Sequence, residues 1–170
     1  MKNYNMRYYF PIGLLIFIFL DGSLSNVFAR EFFTGGISIE SLLVLLWLVM
    51  AIFYGEVDRL MLWAFVAGLI FDMYYTGILG IYMIIFPLVV YLNRQVCRFF
   101  TSSFLVVLLI YLIDLTLVSA LAFLANSLIG LANISLADFF VADLGPTLAY
   151  NLAWFAILYI PIKNFFEKFS

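Results

Sequence analysis

Three aspartates have the greatest potential for chemistry in this chain, because Asp21, Asp72 and Asp114 each lie inside a long apolar stretch. Two carboxylates that face each other inside a membrane can share a proton and activate water, as in an aspartyl protease. Asp72 and Asp114 have the side chain for such a pair, but neither follows a Gly-x-Gly segment of the kind found in reactive loops. We therefore expect polar contacts between helices, within this chain or with a partner, rather than catalysis.

Other kinds of active site lack their essential residues. The chain has no histidine, which removes the usual general base and the usual metal ligand, and it has one cysteine, Cys97. A Ser-His or Cys-His nucleophile pair is therefore excluded. The lysines, Lys2, Lys163 and Lys168, lie near the chain ends, so a Ser-Lys dyad inside a membrane is not expected either. The sequence predicts a protein that is not an enzyme, with no catalytic residues, no metal site and no cofactor.

The elements that position these aspartates are apolar stretches long enough to be membrane helices. Hydrophobic residues make up 67% of the chain and charged residues only 11%, whereas a soluble domain has about 25% charged residues. The composition predicts an all-α integral membrane protein, a single polytopic domain over residues 1–170. Its bundle of six transmembrane helices is predicted at residues 9–28, 39–54, 60–75, 78–93, 103–126 and 144–162.

The basic residues alternate between the gaps that separate these stretches. In membrane proteins, Lys and Arg are retained in cytoplasmic loops, so the alternation predicts a topology with both termini in the cytoplasm. Only Arg30 falls on the opposite side. The cytoplasmic groups are Lys2 with Arg7, Arg59, Arg94 with Arg98, and Lys163 with Lys168. The long gap at residues 127–143 is predicted to lie in the headgroup layer as an interfacial segment.

The acids gather toward the non-cytoplasmic ends of the stretches. Asp143 precedes the sixth stretch and is predicted to be its N-cap, while Glu40 is expected in the first turn of the second. Asp21, Asp72 and Asp114 have no such position. They must be protonated, hydrogen-bonded to polar side chains, wetted, or paired with another protein.

The third and fourth stretches carry a recognisable motif. Only Thr76 and Gly77 separate the two stretches, which predicts a tight helical hairpin. Residues 67–82 read AGLIFDMYYTGILGIY and are followed by Phe86 and Pro87, the latter expected to bend its helix. This run resembles the signature stretch of the rod shape-determining protein MreD family. The chain length, the six apolar stretches and the segment FLDGSLS at residues 19–25 extend the resemblance over the whole chain.

The resemblance implies a non-catalytic membrane scaffold of the bacterial cell-elongation machinery, which makes peripheral peptidoglycan and sets cell shape. It also implies location in the bacterial plasma membrane. The implied partners are the membrane-anchored scaffold MreC, through it RodA and a class B penicillin-binding protein, and in rods the actin-like MreB; no nucleic acid partner is implied. On this interpretation, Gly68, Asp72, Gly77, Gly80 and Pro87 determine shape and contacts.

A second interpretation stays open. Members of the family are similar in architecture to the S component of energy-coupling-factor transporters, which binds a small molecule. A small-molecule or lipid-binding protein of that kind would have Asp21, Asp72 and Asp114 lining a cavity that opens to the outside.

Overall fold

Helices make up most of the chain that the computed structural model describes, residues 6–32, 35–130 and 135–169, and no strand occurs in those ranges. The elements are α1 (Met6–Val27), α2 (Ala29–Phe32), α3 (Leu43–Tyr54), α4 (Leu60–Thr76), α5 (Ile81–Val96), α6 (Phe104–Leu128) and α7 (Leu136–Phe169). The C-terminal end of α4 is a π-helical turn, Asp72–Thr76, and another π-helical turn, Phe139–Leu144, lies near the beginning of α7. The predicted all-helical fold is confirmed, and the six longer helices fit the six apolar stretches.

These six helices differ in length. By length and composition, α1, α6 and α7 are long and apolar enough to cross a membrane, whereas α3, α4 and α5 are shorter apolar helices. The hydrocarbon core of a bilayer is about 30 Å thick and needs about 20 helical residues to cross it. The shorter helices therefore depend on their neighbours for their position in the membrane.

Helix α3 lies at the centre of the bundle. It contacts α1, α4, α5, α6 and α7, and each residue of the run 43–51 is at most 4% exposed. With 12 residues it is about 18 Å long, too short to span the bilayer core alone. A helix that is apolar on every side is suited to such an enclosed position. The second apolar stretch thus forms the interior of the bundle rather than a lipid-facing surface.

Neighbouring helices run in alternating directions, so the helix ends gather at two ends of the bundle. At one end, the rings of Tyr9 and Phe169 lie 4.8 Å apart, and the Ser102 hydroxyl donates to the Phe53 carbonyl at 3.2 Å. We call this the basic end. The basic residues of the described chain that belong to it are Arg7, Arg59, Arg94, Arg98, Lys163 and Lys168. We call the opposite end, with Asp21, Glu40 and Asp143, the acidic end.

The last helix begins earlier than the sequence predicted. Helix α7 starts at Leu136, after Ser135, whose hydroxyl accepts the N–H of Asp138 at 3.1 Å as an N-cap. Asp143 therefore lies inside the helix, in its π-helical turn, and the prediction that it is an N-cap is wrong. The interfacial gap is correspondingly shorter on its C-terminal side, and residues 131–134 of it lie outside the described residues.

The proline near this point explains the error. Pro146 has no N–H to donate to the Ala142 carbonyl four residues earlier, and this suggested a helix start. In the structure the helix continues, and the Ala142 carbonyl accepts the N–H of Ser38 at 2.9 Å instead. This hydrogen bond from Ser38 joins the segment before α3 to α7.

Candidate functional site

Asp21 on α1 holds the beginning of α3. Its Oδ1 accepts the Ser41 hydroxyl and the Leu43 N–H, both at 2.7 Å, and its Oδ2 accepts the Val44 N–H at 2.9 Å. The first N–H groups of a helix have no partner within the helix, and leaving them unpaired in apolar surroundings is costly. A carboxylate also interacts favourably with the positive end of the helix dipole. Asp21 thus acts as a cap supplied by another helix.

The opposite side of the same helix start is held by α7. The side chain of Asn151 accepts the Leu42 N–H at 3.0 Å and donates to the carbonyls of Glu40 at 2.7 Å and Thr147 at 2.8 Å. The Thr147 hydroxyl accepts the Glu40 N–H at 3.0 Å. Glu40 precedes α3, so the prediction that it lies in the first turn is wrong; its backbone groups are needed for this contact instead.

Asp72 does for α5 what Asp21 does for α3. It lies at the start of the π-helical turn of α4 and is completely buried. Its Oδ1 accepts the Tyr82 N–H at 2.9 Å, and its Oδ2 accepts the N–H groups of Gly80 at 2.8 Å and Met83 at 3.1 Å. The carboxylate therefore joins the end of α4 to the beginning of α5, ten residues further along the chain.

Three glycines shape the hairpin that Asp72 joins. Gly77 and Gly80 have positive φ angles of 66° and 116°, which favour glycine and turn the chain between α4 and α5. A Cβ atom at Gly68 would lie 2.7 Å from the Cα of Met83, so the two helix backbones are in contact there. Pro87 lies half-buried within α5, which continues through it to Val96. The predicted tight hairpin is present, and the backbones of α4 and α5 are in contact at Gly68.

Asp114 has a different partner from Asp21 and Asp72. Its Oδ2 accepts the side-chain amide of Asn93 at 2.6 Å, and both residues are buried, so the contact links α6 to the end of α5. Asp72 bonds to the opposite end of α5. The two aspartates thus have separate partners in the structure and do not form a pair of the protease type.

Two cavities open at the acidic end. One of about 250 Å³ is lined by Asp21, Glu40 and Tyr75 among others, and one of about 210 Å³ by Glu40, Ser119 and Asp143 among others. Glu40 belongs to both, and its Oε2 accepts the hydroxyl of Tyr82 at 3.3 Å. Neither Asp72 nor Asp114 lines either of these two cavities.

Several polar residues of this region were missed by sequence reasoning. Ser41, Asn93 and Thr147 supply partners described above, and the Tyr75 hydroxyl donates to the Ile18 carbonyl at 2.6 Å. The sequence suggested Asn151 as a partner for the aspartates, but it bonds to Leu42, Glu40 and Thr147 instead. A signal existed for Asn93 as well, since an amide inside an apolar helix is costly unless it is bonded. For the serine and threonine there was none, because their hydroxyls are also able to bond within their own helix.

An all-helical protein with this apolar composition is a membrane protein. Its buried aspartates form hydrogen bonds to neighbouring helices. Comparison with known proteins gives the particular family. The sequence profile of the family described as rod shape-determining protein MreD matches residues 6–169. A rod shape-determining protein MreD from Bacillus subtilis (strain 168) is 30% identical over 124 residues, which cover 73% of this chain and 72% of that protein. No solved structure is significantly similar. The chain belongs to the rod shape-determining protein MreD family, and the resemblance seen in the sequence is confirmed.

Proposed function

We propose that this protein is a non-catalytic scaffold of the bacterial cell-elongation machinery, in which it supports peripheral peptidoglycan synthesis and cell shape. The observation that carries the proposal is the family match over nearly the whole chain. The interior supports it, because Asp21, Asp72 and Asp114 each bond to another helix or to a helix start rather than to each other. Such a bundle offers partners a fixed shape rather than a reaction centre.

We further propose that the six longer helices cross the plasma membrane with both termini in the cytoplasm. The basic end carries the Lys and Arg residues that cytoplasmic loops retain. Helix α5, with 16 residues, is about 24 Å long, so the membrane is thinned or the helix is shielded by protein at the hairpin.

A reporter fused after Ser170 tests this topology. A reporter that is active only in the cytoplasm is expected to be active there, and one that is active only outside is expected to be silent. The same two reporters, fused after Gly130 at the acidic end of α6, are expected to give the opposite result. External activity after Ser170 would contradict the proposed crossing pattern.

The proposed partners are MreC and, through it, RodA and a class B penicillin-binding protein, with MreB in rods. The hairpin gives the bundle a surface suited to an apolar partner helix, since Met73 and Tyr74 are 64% and 71% exposed and Leu79 is similarly exposed. We call Met73, Tyr74 and Leu79 the hairpin tip. Its side chains are exposed although the backbone beneath them is fixed by Asp72, as a preorganised contact requires.

Affinity capture from cells in mild detergent tests the scaffold and its surface. Wild-type protein is expected to recover MreC together with the cell-wall synthases. Replacing Met73 and Tyr74 with alanine is expected to reduce that recovery about tenfold or more, as loss of an aromatic contact residue commonly does. Because these side chains are exposed, the variant is expected to remain inserted and folded.

The matched control replaces Ile157 and Ile160 on α7 with alanine, since both are about as exposed as Met73. Equal recovery by both variants would contradict the hairpin tip as the contact surface. Failure of the wild-type protein to recover MreC would contradict the scaffold itself.

The alternative of a transporter-like binding protein is less well supported. It requires a cavity lined by Asp21, Asp72 and Asp114. Of these three, only Asp21 lines a described cavity, and its oxygens already accept three hydrogen bonds.

A further inference from the structure

The smaller of the two cavities at the acidic end has walls from three parts of the chain. They are the segment before α3, the C-terminal half of α6 and the π-helical turn of α7. We call it the α6–α7 cavity. Its volume is about 210 Å³, and the lining residues that matter here are Glu40, Ser119, Phe123, Phe139 and Asp143.

Ser119 lines this cavity with a hydroxyl that has no hydrogen-bond partner in the described chain. Its side chain is 6% exposed. A serine inside a helix commonly bonds to the carbonyl four residues earlier, but Ser119 does not. A buried hydroxyl without a partner is rare because it loses its water without compensation. A ligand in the cavity would supply the missing partner.

The charge of the cavity favours a cation. Glu40 and Asp143 both line it, and no basic side chain of the described residues does. Two carboxylates in a site of this kind repel each other, and a positive charge between them removes that repulsion. No group of three or more His, Cys, Asp or Glu side chains in the described ranges is placed to hold a metal ion. An organic cation therefore fits better than a metal ion.

An aromatic pair forms one wall of the cavity. The rings of Phe123 and Phe139 stack on each other with their centroids 4.4 Å apart, and both line the cavity. This wall is apolar, so the polar contacts of a ligand come from the other walls. The carboxylates and the Ser119 hydroxyl accept N–H hydrogens, so the best match is an ammonium that still carries hydrogens.

The position of the cavity gives such a group a route of entry. Phe139 and Asp143 both belong to the π-helical turn Phe139–Leu144, and turns of this kind are frequent at functional sites. The same turn exposes the apolar side chains of Phe140 and Val141 beside the cavity. Exposed apolar residues next to polar ones are suited to the boundary between lipid and water, where headgroups lie.

We propose that the α6–α7 cavity binds a primary ammonium group, which is carried by an aminophospholipid headgroup or by a small soluble amine. The ammonium lies between the carboxylates of Glu40 and Asp143 and donates its remaining hydrogen to Ser119, with the ring pair as an apolar wall. This binding is independent of the scaffold function, because the hairpin tip contributes no residue to the cavity.

Binding of ethanolamine to the purified full-length protein in mild detergent tests the chemistry. Ethanolamine is expected to bind at least about tenfold more tightly than choline, whose quaternary nitrogen has no hydrogen to donate, and than uncharged ethylene glycol. Calorimetry or ligand-observed nuclear magnetic resonance measures the difference. Equal binding of the three compounds would overturn the proposal. Binding of none of them would also overturn it if the lipid experiment below shows no preference for phosphatidylethanolamine.

Two substitutions locate the site. Asp143→Asn and Ser119→Ala are each expected to weaken ethanolamine binding about tenfold, because each removes one contact to the ammonium. Ser119→Ala removes no hydrogen bond of the empty protein, so folding is retained. Asp58→Asn, an exposed acid in the loop between α3 and α4, is the control and is expected to bind like wild type. Unchanged binding in both cavity variants would overturn the site.

A lipid experiment distinguishes the two sources of the amine. Native mass spectrometry from mixed bilayers compares retention of phosphatidylethanolamine and phosphatidylcholine. Preferential retention of phosphatidylethanolamine that Asp143→Asn abolishes assigns the site to a lipid headgroup. Ethanolamine binding without that preference assigns it to a soluble amine. The absence of both would refute the proposal, whereas capture of MreC by Asp143→Asn protein checks the scaffold function separately.

Discussion

Replacing Asp72 with leucine is expected to lower the free energy of unfolding by about 3 to 5 kcal/mol, because a buried N–H that loses its partner costs about 1 to 3 kcal/mol. Three N–H groups depend on this one carboxylate, that of Tyr82 being buried and those of Gly80 and Met83 partly buried. Thermal unfolding in detergent, followed by fluorescence-detected gel filtration, measures the loss.

Asp72→Asn refines this test. The amide oxygen still accepts hydrogen bonds, but the amide nitrogen cannot, so an intermediate loss is expected. Asp58→Leu is the control, since Asp58 is exposed and caps no helix in the described chain. The family resemblance implies that Asp72 determines shape and contacts, which would make partner association the property that Asp72→Leu weakens. The structure moves the expected effect to folding. An unchanged unfolding midpoint with lost capture of MreC would restore the direct contact role.

Replacing Gly68 with alanine is expected to be the second most damaging single change. The added methyl group would lie 2.7 Å from the Cα of Met83, and a backbone atom cannot move aside as a flexible side chain can. Overpacking in a core costs about 1 to 3 kcal/mol, and a clash with backbone belongs at the upper end of that range. We expect α4 and α5 to separate, with a lower unfolding midpoint in detergent.

Gly145→Ala is the matched control for this change. Gly145 is exposed in α7, and an added Cβ would meet only the Phe140 carbonyl, at 3.3 Å. Alanine is favoured over glycine in a helix by about 1 kcal/mol, so this variant is expected to be as stable as wild type or slightly more stable. Equal losses for both variants would show that the contact between α4 and α5 is not the cause.

Apolar patterning was sufficient to predict the helices but not their surroundings. Beyond Glu40 and Ser41, the stretch at residues 39–54 is apolar, and such a stretch has the same composition whether it faces lipid or other helices. Its enclosure follows from what surrounds it, which no local pattern records. The basic residues were more informative, since their alternation predicted which helix ends lie together.

The polar contacts could be predicted only in kind. Three aspartates in apolar stretches required partners, and hydrogen bonding was among the alternatives. That Asp21 would bond to Leu43 and Val44 could not be predicted, because the partners are backbone groups whose availability depends on where α3 begins. The Asp143 prediction is wrong because Pro146 does not mark a helix start: the helix continues through it with one N–H donor missing.

The enclosed position of α3 also has a consequence for biosynthesis. Its first N–H groups are held by Asp21, made earlier in translation, and the Leu42 N–H is held by Asn151, which is made 109 residues after Leu42. Until α7 leaves the ribosome, the chain therefore contains a short apolar helix with an open polar start and no wall on one side. The start of α3 is closed only when Asn151 on α7 has been made, and a chain interrupted before Asn151 has an incompletely closed core.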